Sequence, residues 1–173
     1  MVTGGAFAVV VLYYENAFAR KLFKAIFDKE RPWENELRKK VFSSEVEAYK
    51  KLMSSNIDLC GLAPDFRGVP KITKVLDFYG NDVSVSYLLD CCYDMELING
   101  DFDKLLESGR PKNITPEALS VIQEPFNNLG IMYMEDSSVT IDSSGNIVKI
   151  IDFAVSDEYQ NGENDYLGLI SGY

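Results

Sequence analysis

Apolar and β-branched residues crowd residues 3–24, TGGAFAVVVLYYENAFARKLFK, on both sides of a polar break at Glu15 and Asn16. Such side chains suit a pleated, half-buried surface, so the pattern predicts two strands joined by a short turn. DKERPWENE, with Pro32, reads as a loop. The period then changes. From Asn35 to Met53, Phe42, Val46, Tyr49 and Met53 recur at helical spacing and define one apolar face. At about 100° per residue, Glu45 borders that face and Glu47 points away from it. Glu45 is therefore expected to reach inward and Glu47 to be solvated, with Lys50 and Lys51 off the stripe.

Farther on, GLAPDFRGVPKI carries two prolines and two glycines and reads as irregular. KITKVLDFYG and DVSVSYLLDCC read as strands about a turn at Gly80-Asn81-Asp82, and GDFDKLLESG as a short helix stopped by Gly109. Thr115 before Pro116 is a good helix start, because proline at the first helical position lacks an N–H that would have no partner there. Pro125 is expected to kink or interrupt that helix. SVTIDSSGNIVKIIDF reads as a hairpin whose turn is Ser143-Ser144-Gly145-Asn146. The tail from Asp157 is polar.

Composition narrows the function. Of 173 residues 46% are hydrophobic, enough for a packed interior in one domain. The net charge of −10 repels nucleic-acid phosphates and acidic membranes, so neither is an expected partner; a basic protein surface is. No histidine is present, which excludes imidazole bases, His-based triads and His-metal sites. Cys60, Cys91 and Cys92 are odd in number and include an adjacent pair, which speaks for buried free thiols in a reducing compartment. AFAVVVLYY is too short to span a bilayer and lacks a basic leader, so it is expected to be a strand. A cytoplasmic or nuclear protein is expected, with secretion open if a leader was removed.

The order of these signals resembles the protein-kinase-like superfamily. GGAFAVVV resembles the glycine-rich phosphate loop and its following strand, with Gly4 and Gly5 in the loop and Ala8 where a glycine is usual. FARKLFK resembles the Ala-x-Lys strand, which makes Lys21 the phosphate lysine. SSEVEAYKKL resembles the helix that supplies its partner, and the periodicity selects Glu45. LAPDFRG resembles the Pro-x-Phe-x-Gly link of small eukaryotic kinase-like proteins. Either YLLD or DMELINGDF would supply the adenine-contacting linker. LGIMYMEDSSVTIDSSGNIVKIIDFA resembles the catalytic loop, its hairpin and the Asp-Phe-Gly segment, with Asp152 as the metal ligand. The resemblance spans residues 4–154. It implies an α+β, two-lobed kinase-like fold in a single domain, with an antiparallel-sheet N-lobe over 1–95 and a reduced, mostly helical C-lobe over 96–173. It also implies ATP and Mg²⁺ as ligands, since a triphosphate takes a cation, backbone amides and a carboxylate for the metal.

The departures from the family bear on activity. Where active members carry His-Arg-Asp and a following Asn, this chain has Tyr133-Met134-Glu135 and then Asp136, Ser137 and Ser138. Glu135 and Asp136 are the candidate catalytic acids. Loss of a positioned general base commonly costs about 10²–10⁴ in rate. Only 20 residues follow Phe153, too few for the helices that dock protein substrates. The expected function is a pseudokinase that acts through protein interaction, inactive or weakly active. The alternatives are an active atypical kinase and an α+β interaction module that uses no nucleotide.

Overall fold

The computed structural model describes residues 2–28, 31, 33–55, 61–107, 110–111, 114–134 and 137–158. It is a mixed α+β structure of antiparallel sheets and two helices. The chain divides into two compact units.

The first unit comprises Met1–Ser43, Arg67–Leu97 and the residues from Asp157. Its centre is a five-stranded sheet in the order β1-β2-β3-β5-β4. The strands are β1 (Val2–Gly4), β2 (Ala8–Tyr13), β3 (Phe18–Lys24), β4 (Phe66–Gly68) and β5 (Tyr87–Glu96). The predicted first hairpin is present, and the chain turns between β2 and β3 through a 3-10 turn at Tyr14–Asn16. Ala17 there adopts φ 51°. β3 pairs antiparallel with both β2 and β5, so it lies inside the sheet and Lys21 faces Val10 on one side and Tyr93 on the other. Alternation along β3 puts Ala19, Lys21 and Phe23 on one face, all buried, and Phe23 meets Phe42 of α1 edge-on at 5.8 Å. On the opposite face Arg20 and Asp94 are cross-strand partners, joined by two hydrogen bonds of 2.6 and 2.7 Å.

Helix α1 (Trp33–Ser54) starts two residues before the predicted Asn35. Asn35 ties its first turn to the preceding chain, exchanging two 2.8 Å bonds with the backbone of Ile26. Val46 and Tyr49 are buried, Glu45 is buried and Glu47 exposed, as the helical wheel places them. Met53 departs from the predicted stripe: it is 67% exposed, because the apolar face ends a turn earlier.

The second unit comprises Ser44–Phe66 and Ile98–Ser156. It holds the C-terminal part of α1, helix α2 (Pro116–Asn128), a three-stranded sheet β10-β9-β6 and the ribbon β7–β8. The strands are β6 (Asp103–Lys104), β7 (Leu106–Glu107), β8 (Arg110–Pro111), β9 (Ser138–Ile141) and β10 (Ile147–Ile151). The β9–β10 hairpin forms as its sequence predicts. Asp142 accepts the N–H groups of Ser144 and Asn146, and Gly145 supplies the φ of 82° that the turn requires. The core is Ile122, Phe126, Ile131, Val139, Ile150 and Phe153, all essentially inaccessible.

Five expectations are corrected. Residues 71–80 form no strand; this stretch closes on itself by turn bonds, and β5 begins only at Tyr87. LAPDFRG is not wholly irregular, since Phe66–Gly68 forms the edge strand β4. Residues 103–107 are extended and not helical, because Asp103 and Lys104 find partners on β9. Helix α2 runs through Pro125 to Asn128, and Val121, whose carbonyl loses its helical donor there, has an exposed side chain. The predicted Gly109 stop lies outside the described residues. Nor is the chain beyond residue 96 mostly helical: among the described residues it carries one helix and five short strands.

Candidate functional site

Asp152 leaves the end of β10 in a left-handed backbone conformation, φ 60°. A Cβ is disfavoured there, and aspartate is among the few side chains that tolerate it. The turn is held on both sides. The Ser137 hydroxyl donates to the Asp152 carbonyl at 3.0 Å, and Tyr133 and Ala154 exchange backbone bonds of 3.1 and 3.0 Å. The next side chain, Phe153, is 1% exposed and packs 4.8 Å from Tyr49 and 5.2 Å from Phe126. Tyr49 in turn stacks on Phe66 at 5.2 Å. A column of four aromatic rings thus anchors the Asp-Phe segment against α1 and α2.

Glu45 sits one helical turn before Tyr49 and is 7% exposed. Burial pushes the Tyr49 phenol well above its usual pKa, and the negative charges of Asp152 and then Glu45 push it further. The two predicted acids therefore act on one buried hydroxyl. This gathering of Glu45, Tyr49 and Asp152 is the candidate site in the second unit. Beside it, the Ser44 hydroxyl bonds the backbone carbonyl of Ser156 at 3.2 Å and accepts its N–H at 3.1 Å, which ties the chain after Asp-Phe-Ala to α1.

Lys21 belongs to the first unit. It is 9% exposed, and its ammonium lies 5.5 Å from the centre of the Phe23 ring, a cation–π distance. Gly4 ends β1, and Gly5 opens the turn into β2 with its N–H donating to the Ala8 carbonyl at 3.0 Å. A side chain at Gly5 would meet open space. Ala8 is buried within β2, opposite Phe23. The turn is gripped by two cations: Lys24 donates to the Gly5 carbonyl at 2.6 Å, and Arg38 donates to the carbonyls of Phe7 at 2.9 Å and Ala6 at 3.3 Å. Arg38 is itself buried beside Glu34, which also pairs with Arg31.

Glu135 and Asp136, the candidate catalytic acids, lie outside the described residues. Among the described residues, no three His, Cys, Asp or Glu side chains gather as a metal cage. Magnesium bound through a nucleotide's phosphates needs only one or two carboxylates, and Asp152 is the carboxylate that the sequence resemblance assigns to it. Cys91 and Cys92 are free and buried, and burial raises the Cys92 thiol to about 11. Among the described residues no helix is long and apolar enough to cross a membrane.

Sequence reasoning named Glu45 and Asp152 but treated Tyr49 only as core. Its signal was its place one turn after Glu45 on the same face. The grip of Lys24 and Arg38 on the turn had no local sequence signal, since it joins residues 19 and about 31 positions apart. Compared with known families, curated proteins and solved structures, the chain matches none.

Proposed function

We propose that this chain is a degenerate kinase-like protein, a pseudokinase of the two-lobed kind, which takes ATP with Mg²⁺ and works through protein interaction, not phosphoryl transfer. The observation that carries the reading is the left-handed Asp152, anchored through buried Phe153 onto the helix that presents Glu45. In this reading Asp152 is the Mg²⁺ ligand, Lys21 the phosphate lysine, Glu45 the inward acid of its helix, and Gly4 and Gly5 the backbone that approaches phosphate. The replacement of His-Arg-Asp by Tyr133-Met134-Glu135 supports binding over transfer.

The test is thermal melting with and without ATP–Mg²⁺. Nucleotide at about 100 times its dissociation constant stabilises by roughly 2.7 kcal/mol. For a chain of this size that raises the melting temperature by about 5–11 °C. The rise is expected to vanish in Lys21→Ala and Asp152→Asn. A flat response at millimolar nucleotide ends the nucleotide half of the proposal. Transfer of the γ-phosphate to an acceptor, abolished by the same two substitutions, would replace the pseudokinase reading with an active atypical kinase.

A further inference from the structure

Residues 71–86 of the first unit make a closely bonded loop with an apolar tip. Val83 N–H donates to the Val75 carbonyl and Asp77 N–H to the Asn81 carbonyl, both at 2.9 Å. Val75 N–H donates to the Ser84 hydroxyl at 2.8 Å. The Asp77 carboxylate accepts the N–H groups of Tyr79 and Asn81 and the Asn81 side-chain amide, at 2.8–2.9 Å. The Asp82 carboxylate accepts both the N–H and the hydroxyl of Ser84. What this frame displays is aromatic: Phe78 is 96% and Tyr79 86% exposed, with their rings edge-to-face at 5.6 Å. Leu76 and Val85 of the same loop are also exposed.

A soluble chain gains nothing in its own fold from two fully exposed aromatic rings, and such side chains in a fixed frame are what binding surfaces use as anchors. Rigidity lowers the ordering cost on association. Charge then selects the partner. Hydrogen bonds from Asn81 and Ser84 keep the Asp77 and Asp82 carboxylates below their usual pKa, hence ionised; Asp82 also faces Lys74 of the same loop at 3.7 Å, and the whole chain carries −10. Open aromatic faces attract guanidinium groups. A second copy of the chain is disfavoured by like charge. Two such tips together also bury only about 600–1,000 Å², short of the roughly 1,200 Å² of a stable interface. An anionic membrane is repelled.

We propose that the Phe78–Tyr79 tip is a docking surface for a basic, arginine-bearing protein segment, which lays guanidinium groups on the two rings beside Asp77 and Asp82. This rests on the interaction half of the proposed function and is independent of nucleotide.

The probe is a library of short random peptides displayed on phage and selected on the whole chain. Enriched peptides are synthesised and titrated against the wild type and the Phe78→Ala/Tyr79→Ala variant. Both positions are exposed, so the variant is expected to melt within about 1–2 °C of the wild type. The expected result is arginine-rich peptides whose affinity falls at least about tenfold in the variant. It also falls when arginine is replaced by citrulline, and between about 50 and 300 mM salt. Peptides without arginine or lysine, or affinity equal in wild type and variant, overturn the proposal. So does tip-dependent binding to phosphatidylcholine vesicles, or tip-dependent self-association in sedimentation. Tip-dependent peptide binding with no ATP–Mg²⁺ melting shift ends the nucleotide half of the proposed function and leaves this inference standing.

Discussion

Asp152 offers a test that separates backbone from chemistry. At φ 60° an L-residue with an ordinary side chain is disfavoured by about 1–2 kcal/mol, whereas glycine is not. Glycine also loosens the unfolded chain, at a cost of about 0.4–1 kcal/mol. Asp152→Gly is therefore expected to be more stable than Asp152→Ala by roughly 1 kcal/mol. For 173 residues that is about 2–4 °C in melting temperature. Asp152→Asn should stay near the wild type, because asparagine tolerates the same conformation and leaves the Asp152 carbonyl to accept from Ser137. All three remove the carboxylate, so all three should lose any Mg²⁺-dependent nucleotide response while spanning a range of stabilities. The assay is scanning fluorimetry of the four proteins, with and without ATP–Mg²⁺. Equal melting temperatures for the glycine and alanine variants would refute the left-handed turn.

Two further outcomes follow from buried groups. The Tyr49 phenol is raised well above its ordinary value of 10.0 by burial, then by Asp152 and Glu45, so the folded state keeps its proton while the unfolded state loses it above pH 10. Its contribution is present in full below pH 10 and is lost as pH rises past it. Tyr49→Phe removes that dependence. In urea titrations above pH 10 the stability gap between wild type and Tyr49→Phe should change by about 1.4 kcal/mol per pH unit, and parallel profiles would contradict the placement of Tyr49. The Cys92 thiol at about 11, raised by burial against the lowering effect of Arg20, is about 0.1% thiolate at pH 8. In a Cys60→Ser background, iodoacetamide should label Cys92 far more slowly in folded than in unfolded protein, with a rate climbing toward pH 11; prompt labelling at pH 8 would show an open thiol.

What could be read from the sequence was what local chemistry decides. The β9–β10 turn is specified within five residues, by the Asp142 carboxylate and Gly145, so it was legible. The start of α2 at Thr115-Pro116 was legible for the same reason, as was the inward face of Glu45, which needs only the helical period. Illegible parts depend on distant partners. Residues 103–107 look helical by composition and become extended because Asp103 and Lys104 pair with Val139 and Ser138, some 35 residues away. KITKVLDFYG has a strand's composition, but Phe78 and Tyr79 face outward, so no buried face holds it in a sheet. Pro125 was read as a kink or an interruption, and the helix is not interrupted there.

The candidate site was half legible for a related reason. Asp152 and Glu45 come from a motif and a period, but what sets Asp152 in place is a column of rings from positions 66, 49, 153 and 126, which no spacing announces. The column joins α1 and α2 to the Asp-Phe segment through apolar contact. Its energy is dispersion and burial, insensitive to salt and to the charge on either acid. The backbone at 152 is thus held by this column together with the Ser137 hydroxyl. A strained residue persists only where its surroundings over-determine it. Here Phe153 is held in the ring column, Ser137 donates to the Asp152 carbonyl, and Tyr133 and Ala154 exchange backbone bonds, so the turn is held from both sides.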